Sequence, residues 1–217
     1  MYQTAVEQRA GQHAPANGVI SRAVRPVPAL ATTPDLDRAS RAAAEFLRAL
    51  GVSLDSDSRR DTPRRMAEAY EELLTPRPFD ITTFANDEGY DELVLVRDIP
   101  VQSVCEHHLL PFTGIAHVGY LPGERIAGLS KLARAVELFA RGPQVQERLT
   151  KQLADWLQDK LSPRGIGVVI DAEHMCMTLR GVRAVGARTM TSTLLGTLRD
   201  DPRSRNEFLA LTGAGRH

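Results

Sequence analysis

The sequence predicts an α+β fold, because the period of its apolar pattern changes three times along the chain. Helical spacing governs the residues before Glu92, short β-rich runs follow as far as Tyr120, two helical stripes come next, and β-rich runs return after Gly165. The resulting order of strand, strand, helix, helix, strand, strand describes a sheet of about four strands with two helices on one face.

Residues 1–31 are rich in Ala, Gly, Gln, Pro and Val without a sustained period, and Pro26 and Pro28 interrupt regular structure, so they read as a disordered N-terminal tail. Residues 32–90 read as a helical arm. Thr33 followed by Pro34 is an N-cap with proline at the first helical position, opening a helix that turns Leu36, Ala43, Leu47 and Leu50 inward until Gly51 stops it. The device recurs at Thr62-Pro63, where Met66, Tyr70, Leu73 and Leu74 form an apolar face ending before Pro76 and Pro78.

Residues 91–217 read as the main domain. Strands are predicted over 93–96, 99–104 and 112–120 from their β-rich composition. Leu132, Ala135, Val136 and Phe139 then stand at i, i+3, i+4 and i+7 of a helix closed by Gly142-Pro143. Val145, Leu149, Leu153, Trp156 and Leu157 stripe a second helix, which ends at Ser162-Pro163-Arg164-Gly165. Strands over 166–170 and 175–185 complete the sheet, and Ser204 with Glu207 fits a capping box before Phe208. A sheet this small leaves open edges, which self-assembly covers most simply.

The 217 residues are 42% hydrophobic and 25% charged, enough for one substantial core. Lys plus Arg equals Asp plus Glu at 27 each, so no overall basic field points to nucleic acid or a membrane surface. There is no apolar run of about 18 residues and no charged-then-apolar leader, which places the chain in the cytoplasm. A reducing compartment favours metal ligation over a disulfide for the two cysteines.

Those cysteines lie in Cys105-Glu106-His107-His108 and His174-Met175-Cys176, segments that also hold three of the six histidines. Thiolate and imidazole are the ligands zinc prefers. Cys105 and His108, three apart, can converge on one ion from a turn, and Cys176 makes a third ligand. The open fourth position of such a set marks a catalytic zinc, since water held there has its pKa lowered towards neutrality. His107 and His174 then remain beside the metal to move protons. The alternative is a structural zinc with His174 as fourth ligand. In a strand over 175–185, Cys176, Thr178 and Arg180 share a face with His174, opposite Met175, Met177 and Leu179. Ser130, Lys131 and Arg134 open a helix, where free N–H groups, the macrodipole and two cations suit an anion. A solvated helix face is the other reading of that pair.

These clusters resemble GTP cyclohydrolase I, together with Gly128-Leu129-Ser130-Lys131-Leu132-Ala133-Arg134, the run from Arg141 to Thr150, and Arg180-Gly181-Val182-Arg183. Asp61-Thr62-Pro63-Arg64-Arg65 and Thr191-Ser192-Thr193 are similar to that family as well. The resemblance implies a zinc-dependent T-fold enzyme that opens the imidazole ring of GTP, releases formate and yields 7,8-dihydroneopterin triphosphate, acting as a toroidal homodecamer. It implies Cys105, His108 and Cys176 as zinc ligands and His107 and His174 as proton carriers. Ser130, Lys131, Arg134, Arg180 and, from a neighbouring subunit, Arg65 fall around the triphosphate. Glu147, with Gln146 beside it, falls at the guanine, where a carboxylate accepts both N1–H and the 2-amino group. A non-catalytic zinc-stabilised T-fold protein and a nitrile-reducing relative with a nicotinamide cofactor are the rival readings. A nucleotide deaminase is disfavoured, since the chain lacks the Pro-Cys-x-x-Cys element.

Overall fold

A computed structural model describes residues 32–214; the tail expected over 1–31 lies outside the described residues. The arm consists of α1 (Leu36–Ala49) and α2 (Thr62–Leu74), packed on each other. The first helix starts two residues later than the sequence suggests and the second one residue earlier. Asp35 caps α1 by accepting from the Arg38 N–H at 2.9 Å, and Asp61 stands at the N-cap of α2, leaving Thr62 and Pro63 in its first turn. At α1 the Asp35 carboxylate, two residues beyond Thr33, takes the free N–H and its charge suits the helix N-terminus, whereas Asp61 makes no side-chain capping bond. Of the four α1 residues expected inward only Ala43 is buried, while Leu36 and Leu50 are exposed, because a two-helix arm gives α1 a single partner face.

A two-stranded ribbon pairs β1 (Thr83–Ala85) with β4 (Arg125–Ala127). The main sheet has β2 (Val94–Cys105), β3 (Pro111–Leu121), β5 (Pro143–Gln144), β6 (Gly165–His174) and β7 (Thr189–Gly196), in the order β5-β2-β3-β6-β7. Four of these strands are antiparallel neighbours, and the two-residue β5 adds in parallel beside the end of β2. Between the strand pairs run α3 (Leu129–Ala140) and α4 (Gln146–Leu161). This is the expected α+β architecture, consistent with a T-fold, with a helical arm before it.

The segments 93–96 and 99–104 prove to be one strand with a bulge. Four residues of β2, Val96 to Ile99, stand opposite three of β3, Val118 to Ala116, and Asp98 takes a positive φ of 56°. The extra residue reverses which parity faces α3 and α4: Val94 and Val96 pack there before the bulge, Ile99, Val101 and Cys105 after it. Leu132, Ala135, Val136 and Phe139 of α3 and Leu149, Leu153 and Leu157 of α4 fill that face as their spacing predicts.

The opposite face is covered by α6 (Thr197–Asp200) and α7 (Pro202–Thr212) around the fully buried Phe208. The ring needs a trough without side chains: a Cβ on Gly167 would stand 2.6 Å from it. Asp201, not Ser204, caps α7, taking both the Ser204 N–H at 2.9 Å and its hydroxyl at 2.7 Å. Proline at the next position presets the first turn.

The second correction concerns residues 175–185. The β3–β6 ladder stops at Phe112 opposite His174, beside Pro111, which has no N–H to extend it, and the β6–β7 ladder stops at Ala172 opposite Thr189. Without a neighbour the chain closes its own hydrogen bonds as the single-turn α5 (Met175–Thr178), with the Leu179 N–H donating to the Met175 carbonyl at 3.0 Å. Met177 and Leu179 are therefore exposed, not packed. The last strand is β7.

His117 of β3, buried, accepts the Asp98 N–H of the bulge on Nδ1 at 3.2 Å. Burial holds its pKa below the ordinary histidine value, with Asp98 and Asp171 pulling upward and Arg97 downward. The unfolded chain therefore binds a proton near pH ~6.5 that the folded chain takes only at lower pH, so stability is lost as pH falls through that range. Urea midpoints at about pH 7.5 and 5.5 are expected to fall more in the wild type than in His117→Gln, whose amide oxygen can still accept from Asp98.

Candidate metal centre and substrate site

The end of the sheet farthest from the α7 trough gathers the predicted ligands. Cys105 closes β2, and a tight turn follows in which the Leu109 N–H donates to the Cys105 carbonyl at 2.8 Å and Leu109 takes a φ of 52°. This turn lifts His107 and His108 over the end of the strand. Cys105 Sγ lies 3.8 Å from His108 Nδ1, and α5 brings in Cys176, so that the ligand atoms of Cys105, His108 and Cys176 all lie within 4.8 Å of one another. A tetrahedral zinc with two thiolates and one imidazole needs ligand separations of roughly 3.5–3.8 Å, from bonds of about 2.0–2.3 Å. The donor set and its spacing fit that ion with a small contraction. Among the described residues this is the one such cluster, and His174 does not belong to it.

Burial raises the Cys176 thiol pKa, the neighbouring Cys105 raises it further, and Arg180 pulls it down. Two thiols this close resist a double negative charge; a bound cation reverses that balance.

The turn is clamped from α4. Arg148 donates from Nη2 to Glu106 Oε2 at 2.5 Å and to the Pro143 carbonyl at 3.0 Å, and from Nε to Gln144 Oε1 at 2.9 Å. The Glu106 N–H in turn donates to the Gln144 carbonyl at 3.0 Å. From the arm, the Tyr70 hydroxyl donates to the Leu109 carbonyl at 3.1 Å. Nothing in the spacing of Arg148 distinguishes it from a surface helix residue.

His107 is loosely held: its ring is exposed, with Cys105 Sγ 3.8 Å from Nδ1 and Glu106 Oε1 3.8 Å from Nε2. His174 is held fast. Its ring stacks on Phe112, directly opposite in the β3–β6 ladder, with centroids 4.4 Å apart and planes at 9°, and its Nε2 lies 2.7 Å from Gln146 Oε1. Burial lowers its pKa, and Glu147 pulls upward.

The profile of GTP cyclohydrolase I matches residues 39–213. The chain belongs to that family. It is 54% identical over 182 residues to GTP cyclohydrolase 1 of Streptomyces avermitilis, covering 82% of this chain and 90% of that one. The corresponding protein of Mycolicibacterium gilvum is 53% identical over 187 residues, with 83% and 93% covered. That of Aquifex aeolicus is 48% identical over 177 residues, with 82% and 96% covered.

The other residues singled out for this family divide into two groups. Glu147, exposed in the first turn of α4, and Arg180, whose Nη1 lies 3.2 Å from His108 Nε2, stand at the metal end. Gln146 is there too, but buried, with its amide engaged inside the protein. Ser130, Lys131 and Arg134 open α3, whose N-cap Gly128 offers no side-chain cap, and Lys131 lies over the Phe79 ring at 5.8 Å. No hydrogen bond or ion pair among the described residues joins them to the metal cluster. Arg65 sits on α2, 3.8 Å from Asp61.

Cys176→Ser is expected to abolish stoichiometric zinc. Arg148→Met should keep the fold but weaken zinc on the order of tenfold, read by competition with a chromophoric chelator. Unchanged affinity in Arg148→Met would show that the turn holds its shape without the clamp.

Proposed function

We propose that the protein catalyses hydrolytic opening of the GTP imidazole ring, release of formate and rearrangement of the ribose to 7,8-dihydroneopterin triphosphate. The observation that carries this is the Cys105, His108 and Cys176 cluster, flanked at the same sheet end by His107, His174 and Glu147, in a chain of the GTP cyclohydrolase I family. A zinc ion at that cluster supplies a Lewis acid that makes water nucleophilic at neutral pH.

The chain's own groups do the rest. The Glu147 carboxylate accepts N1–H and the 2-amino group of guanine, a pairing that adenine lacks. His107, exposed and free to reorient, delivers a proton to N7, which makes C8 electrophilic. His174 carries protons in the later cleavage and rearrangement. Lys131 and Arg134, unpaired among the described residues, join Ser130, the uncapped N–H groups of α3 and Arg180 in neutralising the triphosphate.

Those triphosphate groups lie in two separate places on one chain, which favours a site completed between subunits, with Arg65 contributed by a neighbour. The sheet supports assembly. Among the described residues its β7 edge is open and β5 covers only Val104 and Cys105 of the β2 edge, so copies can pair head to tail and close a ring. An apolar groove of about 520 Å³ between α1 and α2, with exposed Phe46 at its rim, offers a further surface to a second copy. A homodecamer in the cytoplasm is the form we assign. Among the described residues, no helix is long and apolar enough to cross a membrane.

Purified protein loaded with zinc is expected to convert GTP to formate and a fluorescent pterin after oxidation. An inert zinc-loaded protein would overturn the assignment. In Glu147→Ala, kcat/KM for GTP should fall by about 2–4 kcal/mol equivalent while zinc stays bound; unchanged kinetics would remove Glu147 from the guanine site. Light scattering should give a mass near ten times the 23.8 kDa chain. A fully active monomer would contradict the ring.

A further inference from the structure

We infer that Gln146 is a positioning residue that fixes the tautomer of His174, leaving Nε2 with the hydrogen and Nδ1 as a bare acceptor. The argument begins with the amide. Gln146 is 1% exposed, and its Nε2 lies 3.1 Å from the Ile170 carbonyl, 2.8 Å from the Thr189 carbonyl and 3.1 Å from Thr191 Oγ1. Two of these partners are backbone carbonyls, which can only accept. The nitrogen end of the amide must therefore face β6 and β7, and the oxygen end must face away from them.

The hydroxyls nearby reinforce this polarity. Thr150 donates to the Gln146 backbone carbonyl at 2.8 Å, so its oxygen is left to accept the Thr191 hydroxyl at 2.6 Å, and Thr191 in turn offers its lone pairs to the Gln146 amide. Every hydrogen in the network has one direction. Turning the amide over would set Oε1 against two carbonyl oxygens in a buried site, leaving several groups unsatisfied at once.

What remains is Gln146 Oε1, 2.7 Å from His174 Nε2. An amide oxygen has no hydrogen to give, so the imidazole must donate from Nε2. In the neutral ring that leaves Nδ1 with the lone pair, and among the described residues Nδ1 has no hydrogen-bond partner. The Phe112 ring, stacked nearly parallel on the imidazole, holds the ring plane so that Nε2 stays towards Gln146. The bare Nδ1 is thus the nitrogen that neutral His174 offers to a hydrogen-bond donor.

This deepens the proposed function and rests on it for its catalytic sense, but the tautomer can be read without turnover. Magic-angle-spinning spectra of sedimented, ¹⁵N-histidine-labelled protein, with His174→Ala to identify the ring, are expected to show a protonated Nε2 and a bare Nδ1. A hydrogen on Nδ1 would overturn the proposal. In the second arm, Gln146→Met removes the acceptor, whereas Gln146→Glu in its neutral, buried form keeps a carbonyl towards His174 and an O–H towards the strands. Gln146→Met should lower kcat about a hundredfold or more with KM within about threefold, and Gln146→Glu should recover at least about tenfold of that loss. Equal losses in both variants, with equal loss of thermal stability, would reduce Gln146 to a structural role. A wild type that shows the stated tautomer but never turns over GTP would instead overturn the proposed function.

Discussion

Two thiol sulfurs and an imidazole nitrogen held within 4.8 Å of one another set the terms for the rest of this chain. Such a group is poorly stable alone, since burial and the neighbouring Cys105 both oppose a thiolate at Cys176. The protein therefore has to deliver three ligands to one point and hold them for a cation. It does so with the ends of neighbouring elements, not their middles. One ligand closes β2, one rides on the turn that follows, and one sits on the single helical turn after β6. The central strand β3 fixes the spacing between these ends, and Phe112 at its start provides the flat surface on which His174 rests.

The same logic explains why the polar side chains around the centre are so fully committed. Arg148 makes three contacts inside one small region, all with groups on the turn or on the short strand beside it. Gln146, two residues earlier on α4, faces the other strands. A single helix thus braces the metal turn on one side and the neighbouring histidine on the other, while Glu147 between them points outward. Consecutive residues on a helix diverge by about 100°, and here that divergence separates support from recognition.

Much of this was legible in the sequence, for physical reasons that differ from residue to residue. Cys105, His108 and Cys176 could be found because zinc restricts its ligands to few residue types, and the stripes of α3 and α4 because burial imposes a period. The one-turn helix at Met175 was not legible, since the alternation of residues 174–180 suits a strand and only the absence of a neighbour forbids one. The β7 strand carried a signal that was passed over: Thr189, Thr191 and Thr193 alternate as β-branched residues do in a sheet. Gln146 stands next to Glu147 and reads as its companion, yet their side chains part company, which only the helix phase reveals. The side-chain caps at Asp35 and Asp201 escape the sequence for a common reason: threonine and serine nearby fit the same role, and the choice depends on where the chain turns.

The bulge at Asp98 has a bearing on the centre that distance conceals. A strand transmits side-chain direction as a strict two-step phase, so one extra residue upstream inverts everything downstream. With that residue, Cys105 points to the helix side of the sheet; without it, the cysteine and its turn would face the α7 side, although no ligand had changed. The integrity of the metal centre is thus encoded partly as a count of residues, kept by a hydrogen bond from Asp98 to His117 well removed from any ion. A change that leaves every chemical group in place can still erase the site by altering that count.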